Sequence, residues 1–180
     1  MNANQGLTIK KQFIFLNHFY KVIVILRGIL WKNMIKFKKA IFDDNTVKQL
    51  LDLSKKWADE DISFGLVPNE REHLEEPCYI ALDGDQIVGY IFGHVYETEK
   101  KTSYIPIGAK CFEISEVYVL PTYRSKGIGK RLFELIEEEA KNDASYITLA
   151  TSTKDYKRIL KFYVEDLDMT FHSAFLIKKN

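Results

Sequence analysis

The sequence predicts an α/β domain. Three observations carry that expectation: a strand, tight turn and helix run together between Glu113 and Phe133; two strand-like runs are joined by a short turn between Cys78 and Tyr96; and the remaining chain alternates segments of period near 2 with segments of period near 3.6. The chain has 180 residues, enough for one domain with a substantial core.

Met34 to Phe42 alternates as a first strand, and Asp43 and Asp44 follow as candidate N-caps. Val47, Leu50, Leu51, Ser54 and Trp57 then share one helical face. An acidic run, Trp57-Ala58-Asp59-Glu60-Asp61, leads into a loop containing Gly and Pro and a short charged segment, Asn69 to Glu76. Cys78 to Leu82 and Ile87 to Tyr96 read as strands joined by Asp83-Gly84-Asp85-Gln86. Gly89 and Gly93 inside the second of these indicate a bulge or a close backbone approach. Glu97 to Lys110 is a polar connection.

The central strand, Cys111 to Val119, is β-branched and aromatic and stops before Pro121. From Ile128 the apolar residues Ile128, Leu132, Leu135 and Ile136 keep helical spacing, with Lys130, Glu134, Glu137 and Glu138 on the wet side. Tyr146 to Ala150 is a further strand. Tyr156, Ile159, Leu160 and Tyr163 form one face of a helix, and Met169 to Lys178 reads as a last strand. The predicted order is β-α-α-β-β-β-α-β-α-β.

Composition narrows the function classes. The 26 basic and 25 acidic residues leave a net charge of +1, so no global field favours nucleic acid. The two cysteines, Cys78 and Cys111, lie in apolar strand-like runs, the pattern of buried free thiols in a reducing compartment, and the cytoplasm is the expected location. The four histidines are scattered, and no Cys/His cluster has metal-ligand spacing; no metal is expected. Residues 13 to 31 are apolar but broken by Asn17, His18, Lys21 and Arg27, which makes a poor membrane helix. Residues 1–33 are therefore expected to be an extension, read as an extra packed element, a weak interfacial anchor or sequence upstream of a start at Met34, with residues 34–180 as the domain. The third reading is favoured.

The most informative stretch is Arg124-Ser125-Lys126-Gly127-Ile128-Gly129. Its glycines let the backbone turn and let a ligand approach the amides, and the first N–H groups of the following helix present the positive end of its dipole. With Arg124, Lys126, Lys130 and Arg131 around those amides, the expected guest is a phosphate. The spacing fits neither the P-loop nor the dinucleotide fingerprint. A plain strand-to-helix turn with surface lysines is the competing structural reading.

Val-x-Pro-x-Tyr-Arg-x-Lys-Gly-Ile-Gly, here Val119 to Gly129, closely resembles the acetyl-coenzyme A (acetyl-CoA) binding motif of the GNAT family of N-acetyltransferases. The resemblance spans roughly Met34 to Lys179. It implies a GNAT acyl-CoA N-acyltransferase fold, a mixed, mostly antiparallel sheet of six to seven strands flanked by about four helices. It further implies that Arg124, Ser125, Lys126, Gly127, Ile128, Gly129 and Lys130 wrap the pyrophosphate, while Val117, Tyr118 and Val119 hold the pantetheine arm through their backbone.

Acyl transfer from a thioester to an amine needs a proton removed from an ammonium of pKa about 10.4, a stabilised carbonyl oxygen and a protonated leaving thiolate. By resemblance the first falls to Glu116 or Glu113, with Glu116 preferred; the second to the N–H of Val119; and the third to Tyr163 of Phe162-Tyr163. Against these stand structural readings: solvated strand glutamates, and a core tyrosine seven residues after Tyr156 on the apolar face. The chain departs from the family pattern at Tyr156, Ile159 and Asp168-Met169, where Asn, Ala and Gly-Phe are usual. The implied activity is direct transfer from acetyl-CoA to a primary amine of a small molecule or peptide; a non-catalytic acyl-CoA-binding module is the alternative. Many GNAT proteins dimerise, so the resemblance admits a homodimer. The loops near 57–76 and 97–110 are expected to rim the acceptor site, and the acidic run suits a cationic amine.

Overall fold

A computed structural model describes residues 35–102 and 105–178. The readings made for residues 1–33 lie outside the described residues. Five strands make one sheet in the order β1 (Ile35–Lys39), β2 (Cys78–Asp83), β3 (Gln86–Glu97), β4 (Lys110–Val119), β5 (Tyr146–Leu149). β2/β3 and β3/β4 are antiparallel and β4/β5 parallel, so the sheet is mixed. Among the described residues three α-helices accompany it: α1 (Asp44–Asp59), α2 (Ile128–Ala140) and the short α3 (Tyr156–Leu160), which continues as a π-helical turn, Lys161–Asp166.

Helix α1 starts where Asp43 accepts the Thr46 N–H at 2.7 Å, satisfying one orphan donor of the first turn. Its Leu50 and Leu53 pack on Ile80, Tyr90 and Phe92 in the main core, while Trp57 stacks on Tyr118 with ring centroids 5.4 Å apart. Helix α2 covers the opposite face. There Tyr79, the alternate neighbour of Ile80, donates its hydroxyl to Glu139 at 2.7 Å, and Ile128 approaches Gly89.

Against the expected six to seven strands and about four helices, the described residues hold five strands and three α-helices. Asn69 to Glu76 contributes only a 3₁₀ turn, Arg71–His73. Met169 to Lys178 is not a strand: Phe175, Leu176 and Ile177 are 87% or more exposed, and no described strand receives them. The physical reason is that alternation gives only the capacity to pair. Asp168, at φ +56°, turns the chain as it leaves the π-turn, and the segment reaches no sheet edge.

Two sheet irregularities shape the functional end. Phe92 faces Glu116 while Gly93 faces Ile114, so Ser115 is an extra residue in β4, a β-bulge. Gly93 permits it: a Cβ there would lie 2.0 Å from the carbonyl oxygen of Glu113. Beyond the bulge β4 stays paired to β3 only, because β5 ends at Leu149 opposite Ile114. The two parallel strands part, and a cavity opens between them.

Candidate active site

The cavity has a volume of about 700 Å³ and is walled by β4 from Ile114 to Val119, the turn after β4, the segment after β5 and the π-turn. Its roof is the connection after α1, Ile62 to Leu66, which is fastened to the chain after β5. Phe64 N–H donates to the Ser152 carbonyl and Lys154 N–H to the Ile62 carbonyl, both at 2.8 Å, and Lys154 Nζ meets Asp61 at 2.6 Å.

Ladder alternation aims the β4 backbone. Leu120 N–H donates to Val88 of β3, so the N–H groups of Val117 and Val119 point to the other side, into the gap that β5 leaves. The Val119 carbonyl, pointing the same way, accepts from Arg124 Nε at 2.8 Å.

After β4 a 3₁₀ turn, Pro121–Tyr123, leads into the glycine turn. Ser125 and Gly127 both adopt left-handed backbone, φ +58° and +81°. A Cβ on Gly127 would meet nothing within 4 Å, whereas one on Gly129 would press Phe162 at 3.3 Å. Gly127 therefore serves the conformation and Gly129 the packing. Among the described residues, no acceptor takes the backbone N–H of Ser125, Gly127, Ile128, Gly129 or Lys130. Clustered donors at the N-terminus of a 13-residue helix fit an anionic group.

The cations of this turn are deployed unevenly. Arg124 is clamped by Glu60, Nη1 to Oε2 and Nη2 to Oε1 at 2.8 Å each, and its guanidinium lies 5.5 Å from the Tyr118 ring centre. Tyr118 also donates its hydroxyl to Glu60 at 2.7 Å, and burial pushes that phenol well above the ordinary range. Lys126 turns back to the Thr122 carbonyl at 2.6 Å, and Arg131 pairs with Glu134. Lys130 lines the cavity and donates to the Asp166 carbonyl at 3.0 Å. The acidic run after α1 is correspondingly neutralised: Glu60 by Arg124, Asp61 by Lys154.

Of the residues singled out in the sequence, Glu116, Val117, Tyr118, Val119, Arg124, Ser125, Gly127, Gly129, Lys130 and Tyr163 line this one cavity. Glu113, Lys126 and Ile128 do not; Ile128 is buried beneath the turn. The bulge puts Glu113 and Glu116 on the same sheet face, opposite His94 and Phe92, but only Glu116 reaches the cavity.

Glu116 is largely buried, and burial raises its pKa above the usual carboxylate value; hydrogen bonds from Tyr90 and Asn69 act against that rise. Tyr163 sits in the π-turn with its ring 5.2 Å from Phe162, and burial pushes its hydroxyl up to about 12. No described group hydrogen-bonds that hydroxyl, which is a proton donor at neutral pH. A carboxylate with a raised pKa and a protonated phenol in one partly apolar cavity can act as proton acceptor and proton donor.

Sequence reasoning set the 57–76 loop at the rim of the site without singling out the roles of Asn69, Glu60 or the Ile62 to Leu66 roof, and it missed Tyr90. Tyr90 reads as one more apolar strand residue, and the β3/β4 register that sets it beside Glu116 has no signature in either strand.

The acetyltransferase (GNAT) family model matches residues 45–169. The chain belongs to the GNAT acetyltransferase family. No curated protein sequence matches it. Solved structures of similar fold include a Trypanosoma brucei acetyltransferase, 18% identical, covering 81% of this chain and 99% of that one with a TM-score of 0.57. An aminoglycoside acetyltransferase from an uncultured soil metagenomic sample, in complex with sisomicin, is 18% identical over 82% and 99% of the chains, TM-score 0.56. Arabidopsis thaliana Naa50, in complex with the bisubstrate analogue CoA-Ac-MVNAL, is 21% identical over 74% and 82%, TM-score 0.55. These likenesses establish the GNAT fold. Among the described residues, no helix is long and apolar enough to cross a membrane, and no group of His, Cys, Asp and Glu is arranged to hold a metal ion.

Proposed function

We propose that this GNAT protein transfers the acetyl group of acetyl-CoA to a primary amine of a small molecule or peptide, directly, with both substrates bound. The observation that carries the reading is the convergence of Glu116, Tyr163, the β4 amides and the glycine turn on one cavity. Its supports among fold relatives are a bound CoA-peptide analogue in one and a bound aminoglycoside in another.

Acetyl-CoA, when bound, supplies an acetyl thioester. The amides of Ser125, Gly127, Ile128, Gly129 and Lys130, together with the Lys130 side chain, hold its phosphates, and the Val117 and Val119 backbone groups hold its arm along the open side of β4. The Val119 N–H donates to the carbonyl oxygen as negative charge develops there. Glu116 takes a proton from the acceptor ammonium, freeing the nitrogen lone pair for attack; as the C–N bond forms and the C–S bond breaks, Tyr163 gives its proton to the sulfur, and the second proton shed by the new amide nitrogen restores the Tyr163 hydroxyl. Glu113, outside the cavity, has no part in this reading.

The test is calorimetric titration of the full chain with acetyl-CoA, followed by an amine panel scored by released thiol. Binding in the parent, weakened about tenfold in Lys130→Ala, is the expected first result. Acetylation of at least one amine, lost in Glu116→Gln, is the second. Binding without turnover on any amine would leave an acyl-CoA-binding module instead, and no binding by folded protein would overturn the reading.

A further inference from the structure

Glu116 is gripped from one side only. Asn69 Nδ2 donates to its Oε2 at 2.9 Å and the Tyr90 hydroxyl donates to the same oxygen at 2.7 Å. Both lone-pair directions of Oε2 are thus occupied, and no described donor reaches Oε1. We propose that Asn69 and Tyr90 are positioning residues which hold Glu116 so that Oε1 alone faces the cavity and receives the acceptor's proton. The proposal rests on the reading of Glu116 as the base.

Each gripping residue is itself fixed. Tyr90 is wholly buried, its ring stacked 5.7 Å from Phe92 and tilted against Tyr118 at 6.0 Å, so packing holds its hydroxyl in place. Asn69 comes from the connection after α1, and its own N–H donates at 2.8 Å to Ser54 Oγ. Ser54 is fully buried in α1, a polar side chain in an apolar setting, and this bond gives its hydroxyl a partner. Helix α1 therefore reaches Glu116 through a chain of two hydrogen bonds, Ser54 to Asn69 and Asn69 to Glu116. Acceptor-side backbone and base are set together.

The grip has an electrostatic sign. Two donors on one carboxylate favour its ionised form and oppose the effect of burial. The other titratable groups acting on the site are Glu75, which raises the Glu116 pKa, His73, which lowers it, and Cys78 of β2, whose thiol is raised by burial, then by Glu76 and Glu116. Removing Asn69 or Tyr90 as donor leaves burial and Glu75 less opposed, so the Glu116 midpoint moves up.

The experiment compares full-length parent with Tyr90→Phe, Asn69→Ala and Asn69→Asp. Tyr79→Phe, which loses a hydroxyl bonded to Glu139 on the far sheet face, is the control. Carboxyl-carbon NMR titration of Glu116 in protein alone gives its midpoint without any need for activity. kcat/KM against pH, with the amine selected by thiol release, gives the acidic limb.

The expected result is an upward shift of about one pH unit in both readouts for Tyr90→Phe and Asn69→Ala. Asn69→Asp, which keeps the shape but adds a like charge, shifts further, and Tyr79→Phe shifts neither. kcat at pH 7 falls about tenfold in Tyr90→Phe while KM for acetyl-CoA stays within twofold. An unmoved Glu116 midpoint in the folded variants overturns the proposal, as does a moved midpoint with an unmoved acidic limb. Full activity of Glu116→Gln would instead show that the base reading had failed, taking the proposal with it.

Discussion

Arg124 and Glu60 face each other through two parallel hydrogen bonds of 2.8 Å, although 64 residues separate them in the chain. A bidentate pair in which both side chains are less than a quarter exposed joins the end of α1 to the start of the glycine turn. Removing one partner strands the other charge. Arg124→Ala and Glu60→Gln are each expected to lower unfolding stability by about 2–3 kcal/mol in urea titrations. The double variant should lose less than the sum, with a coupling of about 1 kcal/mol or more in a double-mutant cycle.

Gly93→Ala strikes the bulge. Its Cβ would be driven to 2.0 Å from a backbone carbonyl that cannot withdraw like a side-chain tip. A loss of about 3 kcal/mol is expected, read from the denaturant midpoint, with activity falling as β4 loses its register beside Glu116.

Tyr163→Phe separates a core role from a chemical one. The ring keeps its contact with Phe162 while the hydroxyl is lost. Stability should change by less than about 1 kcal/mol, and kcat should fall about a hundredfold with KM for acetyl-CoA little changed. Because burial holds the hydroxyl near 12, the parent should show no loss of activity from Tyr163 ionisation below about pH 11.

The cysteines should be silent in the native protein. Both are free and essentially without solvent exposure, and burial pushes the Cys78 thiol up to about 12, so that residue carries almost no thiolate at pH 8. Iodoacetamide at pH 8 is expected to label neither cysteine in native protein and both in denaturant, as followed by intact mass.

Much of this architecture is legible along the chain. Helix α2 begins at Ile128 because the apolar period changes there, and Asp43 caps α1 as its chemistry dictates. The glycine turn announces itself through Gly127, the residue that needs left-handed backbone. Register is what local pattern does not encode. Strand parity sets Glu113 and Glu116 on opposite faces until the extra residue at Ser115 brings them to one, with only Glu116 past the end of β5 and in the cavity; Tyr90 looks apolar until pairing brings its hydroxyl to Glu116. Charge near a motif is similarly ambiguous: Arg124 reads as a phosphate ligand, yet its partner Glu60 comes from a distant helix end. The last strand fails for the converse reason, since Met169 to Lys178 has the pattern but reaches neither edge of the described sheet.

The hydrogen bonds from Phe64 N–H to the Ser152 carbonyl and from Lys154 N–H to the Ile62 carbonyl have a topological consequence. Together with the β4/β5 ladder and the Glu60–Arg124 clamp they close a ring of chain around the cavity. A molecule slim along its length can thread such a ring end-on. One that is bulky at both ends, like a thioester nucleotide already joined to its acceptor, passes only when those fastenings break. On the proposed function, stepwise arrival of two slim partners and slow escape of a joined, two-headed inhibitor are the kinetic marks expected of that enclosure.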